Sequence, residues 1–164
     1  MPPTRTPSPI KPLRGVRILS LALNVPGPAA LMRLRAMGAT CTKVEPPAGD
    51  PMGHYNAAAF ASLHEGVRRL SLDLREPDGQ QLLHRQLART DVLLTSFRPS
   101  GLARLGLAWK TLHRRYPALS QVAIVGSHGA RAEEPANNDT AAEASAARRP
   151  SRRPLMLCPS LPGA

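Results

Sequence analysis

Short apolar runs alternate with helix-like stretches through most of this chain, and that alternation constrains the fold more than any other feature. The run "VRILSLAL" (residues 16–23) is rich in Val, Ile and Leu and predicts a buried strand. Pro26, Gly27 and Pro28 then break it. "AALMRLRAMG" follows with Leu31, Leu34 and Met37 on one helical face, and Gly38 supplies a stop. "ATCTKVE" (residues 39–45) predicts a second strand, and "PPAGDPMG" a loop. "YNAAAFASLHEG" is ambiguous, although its alanines favour helix. "RRLSLDL" (residues 68–74) alternates as a strand does. In "REPDGQQLLHRQLARTD", Pro77 fits a first helical position. Asp78 early and Arg85 and Arg89 late suit the helix dipole, and Leu83 and Leu87 stack one turn apart. "DVLLTS" is a strand, "LAWKTLHRRYP" a short helix and "LSQVAIVG" a last strand.

Strand and helix therefore alternate from end to end of the readable part. That order predicts an α/β fold, a mostly parallel sheet with helices on its faces. Ligands of such sheets bind beyond the carboxyl ends of the strands. The turns at residues 24–28 and 95–101 lie at such ends, each leading into a helix. "NVPGP" could offer free N–H groups to a phosphate, but it lacks the G-x-G-x-x-G and P-loop signatures, and a plain tight strand-to-helix turn is the favoured reading. "SFRPSG" is more pointed. Arg98 and Arg104 are planar, permanently charged donors for phosphate oxygens, and Phe97 can stack on a flat base. A solvated charge pair beside one core aromatic explains the same residues. Arg68 and Arg69 precede their strand, whereas Arg75 lies at its far end, on the side where a ligand is expected, although an ordinary exposed arginine is the favoured reading.

The site chemistry stops there. Asp50, Asp73, Asp91 and Asp139 are isolated in sequence, and no Ser-His-Asp set or carboxylate pair stands out. The histidines at 54, 64, 84, 113 and 128 form no metal-ligand spacing, and no metal is expected. Cys41 reads as a small buried thiol in a strand, far from Cys158. The net charge of +11 admits nucleic acid, an acidic surface or a small anion, but arginine, alanine and proline bias alone would also produce it. No apolar run approaches the roughly 18 residues of a membrane span, and "MPPTRTPSPIKPLRG" has no apolar signal region. A cytoplasmic location is the expectation, with no membrane partner.

Taken together, "PLRGVRILSLALNVPGPAALMRLRAMGATCTKVEPPAGDP", "RRLSLDLREPDGQQLL", "TDVLLTSFRPSGLARLGL" and "LSQVAIVGSHG" resemble the class III CoA-transferases in order and spacing. That family includes formyl-CoA transferase, carnitine CoA-transferases and alpha-methylacyl-CoA racemase. The resemblance implies a Rossmann-like α/β part that binds coenzyme A or acyl-CoA. It places Phe97 and Arg104 by the adenine and phosphates, Leu72 and Arg75 in the same groove, and Val25 and Pro26 against the coenzyme near the first strand's end. Ser96 and Arg98 belong to the same contact turn, with Ser96 where the family often has asparagine and Ser100 where it often has glycine.

The family's reaction uses an aspartate that becomes a mixed anhydride and then a CoA thioester, or, in the racemases, an aspartate and a histidine that move the alpha proton. The reacting aspartate sits in a later "GD" segment that does not appear here, and Asn137, Asn138 and Asp139 stand near the place of the racemases' "GHD". The expected organisation is a disordered lead (1–12), a CoA-binding α/β part (13–135) and a low-complexity tail (136–164), disordered or translated in a shifted frame. The fold would then be incomplete relative to the family, without its interlocked dimer and without turnover. A basic nucleic-acid-binding protein and a gene remnant without function are the alternatives; the former lacks a recognised motif and stacking aromatics.

Overall fold

The computed structural model describes residues 10–126 and 129–133. Five strands form where the apolar runs fall: β1 (Arg17–Ser20), β2 (Thr40–Glu45), β3 (Arg68–Ser71), β4 (Val92–Thr95) and β5 (Ser120–Ala123). Between them lie α1 (Pro26–Ala36), α2 (Pro51–Tyr55), α3 (Ala57–Leu63), α4 (Pro77–Leu87), α5 (Pro99–Arg104) and α6 (Trp109–Arg115), and a 3-10 turn spans Gly129–Glu133. Every pairing is parallel and the strand order is β3-β2-β1-β4-β5. The expected α/β sheet is therefore present. The chain builds to one side of β1 through β2 and β3, then crosses to the other through β4 and β5. The crevice at the carboxyl ends of β1 and β4 is the point where the direction reverses, the usual ligand position in such sheets.

Alternate residues of the central strands feed two cores. Leu19 and Leu93, paired across β1 and β4, pack with Leu83, Leu87, Leu102 and Leu112 from α4, α5 and α6. Ile18 and Leu94 point the other way, onto Leu31 of α1, Cys41 and Val67. Both faces of the sheet are thus covered, which is why its middle strands read as near-continuous apolar runs. Cys41 is buried in β2, as expected, and burial pushes its thiol above the ordinary value.

Three expectations are corrected in detail. The first strand is shorter than residues 16–23, because side-chain hydroxyls replace the ladder after the Leu21 N–H bond to Leu94 O at 2.8 Å. Ser20 Oγ accepts the Ala22 N–H at 3.1 Å, and Ser96 Oγ accepts that of Leu23 at 3.1 Å. The third ends at Ser71, and beyond it Asp73 Oδ1 accepts the Arg75 N–H at 2.9 Å and turns the chain. The segment read as a loop opens α2 instead: Asp50 accepts the Met52 N–H at 2.9 Å as the N-cap, and Pro51 takes the first helical position. Asn56 caps α3 in the same way.

Lys11 begins a turn whose Leu13 N–H donates to Met37 O at 2.9 Å. The tail 136–164, with Asp139 and Cys158, and the lead before Ile10 lie outside the described residues.

Candidate functional site

A cavity of about 580 Å³ opens at the carboxyl edge of the sheet. Leu21 and Leu23 come from the end of β1, Val44 and Glu45 from β2, and the following prolines from its loop. The segment after β3 supplies Leu72, Asp73, Leu74 and Arg75; Phe97 follows β4; and Gly101, Arg104 and Leu105 come from α5 and its end. The backbone positions these groups tightly. A Cβ on Gly79, in the first turn of α4, would lie 1.8 Å from the Asp73 carbonyl oxygen, so the helix can approach the cavity wall only with glycine there. Gly27 serves α1 likewise, since a Cβ would lie 2.6 Å from that of Ala22.

Four of the eight expected contact residues, Leu72, Arg75, Phe97 and Arg104, come together on this cavity. Phe97 is half-buried, lines the cavity and also packs against the larger core. Arg75 and Arg104 are exposed, and among the described residues neither forms an ion pair. The other four do not line the wall. Val25 caps the start of α1 and Pro26 is its first residue, both exposed. Arg98 caps α5, exposed. Ser96 spends its hydroxyl oxygen on the Leu23 N–H and so ties the two crevice turns together.

Beside the cavity lies a buried charge cluster that sequence reading missed. Lys43 is fully buried in β2. Its ammonium hydrogen-bonds Asp50 Oδ2, lies 2.9 Å from His64 Nε2 and 3.4 Å from Glu45 Oε1, and stands 5.3 Å from the Phe60 ring centre. His64 Nδ1 is 2.7 Å from Phe60 O, so Nδ1 carries the proton and Nε2 accepts from Lys43. Burial pushes the imidazole below its ordinary value, and the Lys43 charge adds to this. Burial alone would raise the Asp50 carboxyl; hydrogen bonds from Lys43, Met52 and Asn24 outweigh it and hold the group below its ordinary value. Asp50 also fixes Asn24, whose φ of 59° is left-handed, by accepting its N–H at 3.0 Å.

Glu45, Asp50 and His64 bring their ligand atoms within 4.8 Å of one another, a spacing that could hold a metal ion. The Lys43 ammonium already stands among them as the cation. Two signals in the sequence point here: a lysine in an apolar strand, and an Asp-Pro pair marking a helix start.

In the first turn of α5, Ser100 N and Oγ donate to Glu133 Oε1 and Oε2 at 2.9 and 2.6 Å. These bonds, with Arg98 and Arg104 nearby, hold the Glu133 carboxyl below its ordinary value.

Sheet order and the cavity at the switch point define a doubly wound α/β unit. The chain belongs to CoA-transferase family III, whose model matches residues 13–148. That match runs past Pro135, where the readable resemblance ends in the sequence. The chain is 35% identical over 126 residues to the succinyl-CoA–D-citramalate CoA-transferase of Chloroflexus aurantiacus, covering 72% of this chain and 31% of that protein. A crystallised hypothetical protein of Mycobacterium tuberculosis superposes with a TM-score of 0.75 at 33% identity, covering 86% of this chain and 42% of that one. A CAIB/BAIF family protein from Brucella suis gives a TM-score of 0.71 at 28% identity, covering 80% and 38% respectively. The chain thus spans well under half the length of these relatives.

Proposed function

We propose that this chain binds coenzyme A, with the adenosine and phosphate end in the cavity at the carboxyl edge of β1 to β4. The observation that carries the reading is the convergence of Leu72, Arg75, Phe97 and Arg104 on that one cavity. The Phe97 ring offers an apolar surface for a flat purine. Arg75 and Arg104 supply fixed positive charge for phosphates without first breaking an ion pair. The family's chemistry, movement of coenzyme A between carboxylic acids, supports the same ligand.

The binding step is the part that these residues perform. Transfer through an anhydride needs a carboxylate free to attack an acyl carbon. Asp50 is fully enclosed by its hydrogen bonds to Lys43, Asn24 and Met52, and Glu45 is held against Lys43. Neither of these two is such a nucleophile, and what the cavity residues support is binding of the coenzyme.

Calorimetric titration with coenzyme A tests this. Arg75→Ala and Arg104→Ala should each weaken binding about tenfold or more, the usual loss for a charge-assisted hydrogen bond. No binding by the native chain, or unchanged affinity in both variants, contradicts the reading.

A further inference from the structure

Glu45 has a job that the ion pairs around it do not explain. It closes β2, is 9% exposed and forms part of the cavity wall. Its Oε1 is sealed off against Lys43, 3.4 Å away, and accepts no hydrogen bond. Oε2 lies 3.9 Å from Arg69 Nη1, beyond hydrogen-bond reach. The cation beside it is shared, because Lys43 already hydrogen-bonds Asp50 and lies within hydrogen-bond reach of neutral His64. Two carboxylates therefore answer one buried ammonium. A mostly buried carboxylate without donors is costly unless something completes it.

With Oε1 closed off, Oε2 is the oxygen left for a ligand. A hydrogen-bond donor in the cavity would satisfy it, and an anion at the same place would be repelled. Arg75 and Arg104, on the same cavity, have the opposite preference. The tip of β2 next to the switch point is also where an acidic side chain of a doubly wound sheet meets a ribose hydroxyl. We infer that Glu45 reads the ribose: it accepts a hydrogen bond from the 2′-hydroxyl of the bound nucleotide and turns away a phosphate at that position. This rests on the coenzyme A reading and adds to it a device for choosing between 3′- and 2′-phosphorylated adenosine ligands.

The test is calorimetric titration of the full chain with coenzyme A, adenosine 3′,5′-bisphosphate, its 2′-deoxy analogue and adenosine 2′,5′-bisphosphate. The deoxy analogue should bind about tenfold more weakly than the 3′,5′-bisphosphate, and the 2′,5′-isomer more weakly still. In Glu45→Gln the penalty against the 2′,5′-isomer should shrink. Equal affinity for the ribose and deoxyribose ligands overturns the inference and leaves coenzyme A binding intact. Binding of coenzyme A with none of the bisphosphates overturns it too. Binding of nothing in the series overturns both. The ligand series on the native chain decides the matter even if Glu45→Gln fails to fold.

Discussion

The ammonium of Lys43 has three protons, and Asp50, His64 and Glu45 surround it. Such a cluster costs desolvation, and its return is geometric: Asp50 holds Asn24 in its left-handed turn, at the start of the crevice. The cluster also makes stability depend on pH. Burial holds His64 below its ordinary value of 6.5, and the charges of Lys43 and Arg69 add to this against the opposite pull of Phe60 O and Glu45. A depressed value means full stability above 6.5 and a loss as the pH falls through the folded value. His84 is shifted the same way, by burial and by Arg115, and adds to the slope. Melting curves from pH 7.5 down to 5 should therefore fall, and His64→Gln should flatten part of that fall. An unchanged slope in the variant would remove His64 from the account.

At the scale of elements, the helices are seated by glycine where they meet the strand ends. Gly79 leaves no room for a Cβ against Asp73 O, and α4 carries Leu83 and Leu87 into the core. Gly79→Ala should cost about 1–3 kcal/mol in urea unfolding, as overpacking does, and weaken coenzyme A binding by displacing the segment that bears Arg75. Gly53→Ala, where a Cβ would meet only the Phe60 ring at 3.8 Å, should be mild by comparison. Equal effects would deny Gly79 its role. The elements themselves were legible because their signals are local: apolar runs for β1 and β4, Pro77 and the stacked Leu83 and Leu87 for α4. Strand ends were not, since they depend on hydroxyls and carboxylates reaching distant backbone, as Ser96 does to Leu23. Arg75, Phe97 and Arg104 could be placed from their positions after strands. Lys43 with Asp50, Glu45 and His64 could not, because the cluster exists only once β2, its loop and α3 fold together.

For the whole molecule, the parallel order β3-β2-β1-β4-β5 puts every crevice residue on one edge of the sheet. Among the described residues β3 and β5 pair on one side only, and β5 leaves Val122 half-exposed. No described helix is long and apolar enough to cross a membrane. Relatives carry much more chain than this one matches, so the central claim is that the sheet and its cavity suffice to bind the coenzyme. Thermal unfolding of the purified chain, with and without excess coenzyme A and with adenosine as the control, tests that claim most directly. The prediction is one cooperative transition raised by coenzyme A, by about 2.7 kcal/mol of stability at a hundredfold excess over Kd, and raised less by adenosine. No transition, or one that coenzyme A leaves unmoved, would contradict it.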